Sequence, residues 1–525
     1  MQSVKRRVKS ENFYLLPLNF YLKRSLETVR RKGKIAIRSL FFCWRNIKRN
    51  LVICVIDAWF SFSTEFRYAA LLLIGIAIGV LLNWLADYWG WNQRFRSPWR
   101  RTPKDLLREA LGQLKNELLQ KNPKNAKTAV IDESAFQKKW HDYLPLVGWF
   151  GFSRFSPLLG RGFWIRPFCV ELLCGLGLVF LYHWEVELQK LAVVPISGML
   201  PETQTVLLTR FILHAAFFSL LLLATLTDFD DFVIRDLITI PGTIFGLLAG
   251  ALLTWGMLPS TEIVVAVPGA VTEEMGLIPI SSDSTAGMAW FYRNENVPLY
   301  AASPNSCPPE MMGRPNFVTL GIALMCWWGW CFASMNRVWR MSFGLKQAMA
   351  LFLRRLRRSL STWWYLFAAL IGSLVIAILW NGVIRWQGAY SALIGMAVGG
   401  GMIWAVRIVG AWALKREAMG FGDVTFMAMI GAFLGWQPCV FIFFVAPIAG
   451  LVIGVSRWLL GLGHEVPYGP FLSLATVVVV LFWPAFWLWG EPFFEVTWIV
   501  PSLMLFCGVM LFVLLGLLRV IRNAR

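Results

Sequence analysis

Between Ala69 and Tyr88 the chain reads AALLLIGIAIGVLLNWLADY, twenty residues with one charge, at Asp87. A helix of that length rises about 30 Å, the thickness of the hydrocarbon layer of a bilayer, and it satisfies its own backbone polar groups there. Working outward, ten further apolar runs predict spans at about 168–184, 207–226, 237–257, 317–335, 363–381, 389–408, 424–436, 438–457, 470–488 and 498–520. The expected fold is all-α: a polytopic helical integral membrane protein of about eleven transmembrane helices.

Composition agrees. Of 525 residues 57% are apolar and 15% charged, and the mean hydropathy is +0.58, which excludes a water-soluble globular enzyme. No strand-embedded G-x-G-x-x-G and no G-x-x-x-x-G-K-[ST] supports a nucleotide enzyme. Nine cysteines contain no C-x-x-C pair, the four histidines give no H-E-x-x-H, and no G-x-S-x-G occurs. A zinc protease and a serine hydrolase therefore lack their motifs, and no metal is expected.

The net charge of +20 is unevenly spread. Residues 91–167 carry fifteen Lys and Arg, and 336–362 carry seven with no acid, so both loops are expected in the cytoplasm. Residues 258–316 hold two Arg against six acids and should form an extracytoplasmic insert. The expected order is a basic N-terminal extension (1–67), a first transmembrane helix (68–90), a cytoplasmic loop (91–167), transmembrane helices (168–257), the insert (258–316) and a second transmembrane bundle (317–525). The patch from Leu51 to Ser63 is short for a span and is interrupted by Asp57. In the 91–167 loop, Thr102-Pro103-Lys104-Asp105 reads as a helix start, and Leu107, Leu111, Leu114 and Leu118 give an amphipathic helix. Basic loops are read as topology and lipid attraction, with no nucleic-acid partner.

Acids beside spans are costly, which makes them the place to look for function. Two groups stand out. One is Thr227-Asp228-Phe229-Asp230-Asp231 with Asp236 close behind, after the 207–226 span; the other is Gly420-Phe421-Gly422-Asp423, before the 424–436 span. Charge places both at the cytoplasmic ends of helices. Two carboxylates within reach share one proton, so one can draw a proton from water while the other polarises a peptide carbonyl. Glycine on both sides of Phe421 permits close backbone approach. Read singly, Asp228, Asp230, Asp231 and Asp236 also suit a solvated turn, and Asp423 suits a helix N-terminus.

These residues resemble the bacterial type IV prepilin peptidases, membrane aspartic proteases with a G-x-G-D motif. The family's I-D-x-D-x-x-x-I-P-D-x-x-T is similar to the stretch from Thr227 to Thr239, and its G-x-G-D to Gly420 through Asp423. The resemblance extends to Tyr468-Gly469-Pro470-Phe471, to Leu144 through Trp149, to Arg166 through Leu173, and to Ile430 through Trp436. It implies Asp228 and Asp423 as the catalytic pair, with Gly420 and Gly422 supporting. The implied activity is cleavage of the basic leader of prepilin-like or pseudopilin-like precursors, as in type IV pilus and type II secretion systems, at the cytoplasmic face of a bacterial inner membrane. Proteolysis would need no cofactor, and S-adenosylmethionine would serve only where methyl transfer is retained. The sequence departs from the family at Arg235, where proline is usual, at Thr425, where lysine is usual, in the 258–316 insert with its extra spans, and in lacking the C-x-x-C pairs that accompany zinc and methyl transfer. Asp230, Asp231 and Asp236 form an acidic island in a basic protein, and they are expected to hold the Lys or Arg of a leader. A transporter or assembly factor on a degenerate peptidase scaffold is the rival reading. Acids at span ends, next to water, favour the peptidase.

Overall fold

The computed structural model describes residues 56–89, 139–156, 160–193, 204–266, 278–279, 291–304, 315–335, 360–415, 419–459, 467–496 and 498–524, with single helical positions at 347, 350, 354 and 358. The amphipathic helix expected at 102–118 and most of the N-terminal extension lie outside them. The chain divides into two compact units, Met1–Arg67 and Tyr68–Arg525. In the first, residues 56–61 are helical and a break at 62–63 precedes Thr64.

Each of the eleven apolar runs is helical. In chain order the helices are α1 (Thr64–Trp89), α2 (Ile165–Tyr182), α3 (Gln204–Asp231), α4 (Asp236–Leu252), α5 (Phe317–Ser334), α6 (Leu360–Leu379), α7 (Val383–Leu414), α8 (Phe421–Leu434), α9 (Trp436–Leu459), α10 (Gly469–Leu481), α11 (Trp483–Glu495) and α12 (Ile499–Ala524). Among the described residues eight helices are long and apolar enough to cross a membrane, or nine if the bent pair α10–α11 is one span. The protein is therefore an all-α polytopic membrane protein. Large apolar side chains face outward, among them Trp364, Leu370 and Leu374 on α6 and Leu505, Phe506 and Met510 on α12. That arrangement inverts the soluble pattern and suits a lipid surrounding.

Two expected spans are short. α4 and α8 rise about 25 and 21 Å, less than the roughly 30 Å of hydrocarbon. They differ in their surroundings: α4 leaves Leu237, Phe245, Leu248 and Leu252 exposed, whereas α8 is enclosed. Every residue of α8 from Val424 to Leu434 is buried, as expected of a helix apolar all round. Its backbone touches that of α7, since a Cβ on Gly395 would lie 2.1 Å from the Gly431 carbonyl oxygen. Phe217 of α3 stacks on Phe433 at 4.7 Å and continues the core.

The run read as one span at 470–488 bends by 89° between α10 and α11. Pro484 in the first turn of α11 has no N–H to continue the ladder, the Ala485 N–H turns to Phe482 O at 3.1 Å, and Trp184 Nε1 donates to the Leu481 carbonyl at 3.2 Å.

The 258–316 insert holds strands β1 (Pro259–Ala266), β2 (Ile278–Pro279) and β3 (Phe291–Pro298). They form an antiparallel sheet in the order β1-β3-β2, with Pro259 opposite Pro298, Ala266 opposite Phe291, and Ile278 opposite Tyr292. Side chains from the bundle fasten both ends of the insert. Trp483 Nε1 donates to Pro259 O at 2.6 Å, Trp436 Nε1 to Ala301 O at 2.9 Å, and Gln437 Nε2 to Tyr300 O at 2.8 Å. The insert thus meets the C-terminal ends of α4 and α8, whereas both aspartate motifs lie at their N-terminal ends.

Candidate active site

Asp228 sits in the last turn of α3, where Thr227 and Asp228 are both buried. Helix α3 ends because Phe232 takes φ +53°, and the Phe232 N–H closes the turn on Asp228 O at 2.9 Å. A left-handed bulky residue costs about 1–2 kcal/mol, so this abrupt exit is held by its surroundings. Arg235 then caps α4 with φ −87° and ψ 135°, angles close to those of the proline usual in the resemblance. Its guanidinium reaches Asp231 at 3.1 Å.

Asp423 lies in the first turn of α8, with Gly420 as the N-cap. Arg407 of α7 fixes that entry, donating from Nε to Met419 O at 3.0 Å with its guanidinium over the Phe421 ring at 5.6 Å.

The two motifs meet. A Cβ on Gly422 would lie 2.8 Å from Ile234 O, so only glycine lets the backbones approach this closely. One turn further in, Thr239 donates to Thr425 Oγ1 at 3.1 Å, and Thr425 donates to Gly422 O at 3.0 Å. The lysine usual in the resemblance would place a charge at this buried position, where Thr425 instead ties the motifs together. The result brings the end of α3, which carries Asp228, and the start of α8, which carries Asp423, to one place in the bundle.

A third element closes the site. Gly469 at the start of α10 donates its N–H to Asp228 Oδ2 at 3.0 Å, and Thr225 donates to Ser473 Oγ at 2.8 Å one turn below. Nothing in the tetrapeptide Tyr468-Gly469-Pro470-Phe471 says that its glycine N–H faces an acid.

The other acids of the island are placed differently. Asp230 pairs with Arg166 at 2.5 Å and Asp231 with Arg235, while Asp236 is exposed in the first turn of α4. Arg235 is therefore joined by Arg166 in offsetting the island's charge.

Beside this site, Glu171 is fully buried on α2 and fastens the loop before it. Oε2 accepts from Leu146 N at 2.7 Å, and Oε1 accepts from Trp149 Nε1 at 2.8 Å and Asn83 Nδ2 at 3.5 Å. Two patches of resemblance, Leu144 through Trp149 and Arg166 through Leu173, thus touch through one carboxylate.

Among the described residues no three His, Cys, Asp or Glu side chains stand together as a metal site would need.

The family model described as "Type IV leader peptidase family" matches residues 356–455, which include Asp423 and the whole of α8. A prepilin leader peptidase/N-methyltransferase of Xanthomonas campestris is 27% identical over 225 residues, covering 41% of this chain and 75% of that protein. Over that stretch the chain is similar to the type IV leader peptidase family. A leader peptidase/N-methyltransferase of Pseudomonas aeruginosa is 27% identical over 218 residues, covering 38% of this chain and 67% of the relative. One from Aeromonas salmonicida is 30% identical over 130 residues, 22% of this chain, and there the chain spans less than half of the relative's length, 41%. No solved structure gives a match. The matched segment begins at residue 356, after Asp228, and the insert, α5 and α6 lie between the two aspartate motifs.

Proposed function

We propose that this chain is an aspartic endopeptidase that removes the basic leader of prepilin-like or pseudopilin-like precursors at the cytoplasmic face of a bacterial inner membrane. The observation that carries the reading is the meeting of the two aspartate motifs, Gly422 against Ile234 O, with Asp228 held by the Gly469 N–H. The family name and the relatives' printed names support the peptidase class. The basic 91–167 loop and the position of the insert at the opposite helix ends support the cytoplasmic face.

In this reading one carboxylate takes a proton from water, and the water oxygen attacks the scissile carbonyl carbon. The partner carboxyl gives its proton to the carbonyl oxygen. The tetrahedral intermediate then collapses as one of its hydroxyls returns a proton to the partner carboxylate, the C–N bond breaks, and the amine leaves with the proton held by the first carboxyl. The N–H of Gly469 stabilises negative charge on Asp228 Oδ2, which assigns proton uptake to Asp228 and proton donation to Asp423.

The leader's Lys or Arg meets the acidic island in this reading, with Asp236 making the direct contact and Asp230 and Asp231 contributing charge beside their arginines. Methyl transfer with S-adenosylmethionine is proposed to be weak or absent, since the chain has no C-x-x-C pair.

The test is cleavage of a purified precursor with a basic leader, read by mass spectrometry of both products. Cleavage at the leader boundary, with no methyl on the new N-terminus, supports the whole reading. An intact precursor overturns the peptidase, and a stoichiometric enzyme-dependent methyl overturns only the methyl-transfer statement.

A further inference from the structure

Arg166 stands outside the two aspartate motifs and is 64 residues from its partner in sequence. It is the second residue of α2, yet its guanidinium lies on the last turn of α3. Nη1 donates to Asp230 Oδ1 at 2.5 Å and Nη2 to Leu226 O at 2.9 Å. Leu226 and Asp230 are four residues apart and share one face of the helix, whereas Asp228, two residues from each, points about 200° away. The arginine therefore grips the back of the turn whose front presents Asp228 to Gly469.

We propose that Arg166 is a positioning residue that sets the orientation of Asp228 by clamping the Leu226 carbonyl and the Asp230 carboxylate together. The inference rests on the proposed role of Asp228 and adds to it a residue that touches neither substrate nor dyad.

Three features make the clamp suited to this work. Helix α3 ends at Asp231, so a turn carrying Asp228 would fray without an outside hold. A cation near a helix C-terminus is favoured by the dipole. The planar guanidinium also reaches a carbonyl and a carboxylate at once, which the single ammonium of lysine cannot do in the same geometry. Arg235, the cap of α4, ties Asp231 to the helix that follows α3 in the chain. Arg166 joins α3 to α2, and α2 is in turn fastened to its preceding loop by Glu171.

The experiment compares purified full-length wild type, Arg166→Gln, Arg166→Lys, Asp230→Asn and Asp228→Asn in detergent, with a synthetic precursor peptide carrying a basic leader. For each, kcat, KM and Tm are measured. The proposal expects Arg166→Gln to lower kcat roughly 10- to 100-fold, as a displaced reacting group does, with KM within about 2-fold and Tm nearly unchanged. Arg166→Lys should recover part of the loss, and Asp230→Asn should lower kcat as Arg166→Gln does, with a rise in KM besides because Asp230 also lends charge to the leader site. A wild-type kcat in Arg166→Gln overturns the proposal, as does a loss that tracks Tm and leaves the folded fraction fully active. If Asp228→Asn is inactive while Arg166→Gln is normal, the clamp alone fails. If Asp228→Asn still cleaves, the proposed dyad and the clamp fail together.

Discussion

The backbone N–H of Gly469 donates to Oδ2 of Asp228 at 3.0 Å, across 241 residues of sequence. The contact needs a residue without a side chain, because a Cβ on Gly469 would lie 2.5 Å from the same oxygen. Replacing Gly469 by alanine must therefore move the carboxylate itself. We expect Gly469→Ala to insert and express normally and to lose roughly 100-fold in cleavage rate, in line with misplacement of a reacting group by about 1 Å. A peptide-cleavage assay on the purified variant checks this.

Gly422 makes the second such approach, against Ile234 O. Alanine in a first helical turn would gain up to about 1 kcal/mol in helix propensity, and overpacking against a backbone oxygen costs about 1–3 kcal/mol. The clash wins, so Gly422→Ala should lower the melting temperature in detergent and the cleavage rate together. A variant more stable than wild type would show that the motifs part without cost.

Much of this arrangement was written in the sequence, and what was hidden has identifiable causes. Runs such as 69–88 announce helices because no other element buries their backbone in lipid. The bend between α10 and α11 was hidden because apolar residues continue through it from 470 to 488. The strands of the insert were hidden because FYRNENVP, the sequence of β3, is polar and lacks alternation. The two aspartate motifs were visible through their glycines and spacing, while the pairing of Arg166 with Asp230 was not. A basic residue at a span end is fully explained by topology, so its partner on another helix leaves no local trace.

Glu171 supplies a test of the scaffold around the site. Glu171→Ala leaves the Leu146 N–H and the Trp149 Nε1 without acceptors, each worth about 1–3 kcal/mol when buried. Glu171→Gln keeps one acceptor oxygen but turns an amide toward a donor. Thermal unfolding in detergent should rank wild type above Glu171→Gln and Glu171→Gln above Glu171→Ala. Equal melting temperatures would mean that the loop is held by other contacts.

The loop itself gives a pH dependence. Burial alone would push the Asp142 carboxyl up, but hydrogen bonds from Arg154 and the Lys139 N–H, with the Arg154 charge, outweigh it and hold the group below its ordinary 3.8. A lowered folded-state value means that the unfolded chain binds the proton first. The stabilisation is then present in full above 3.8 and is lost as pH falls through the folded value. Asp142→Asn should weaken hydrogen-exchange protection of residues 139–156 by about 1.5–3 kcal/mol at neutral pH. The gap to wild type should close only below pH 3.8, and a gap that widens on acidification would reverse the sign.

The account stands most directly on Asp228 and Asp423 acting as one unit. The deciding measurement is the rate of leader cleavage by Asp228→Asn, Asp423→Asn and the double variant, with folding checked by melting temperature. Groups that act as a unit are not additive, so each single variant should be as inactive as the double, with the fold retained. A single variant that still cleaves near the wild-type rate would contradict the aspartate pair.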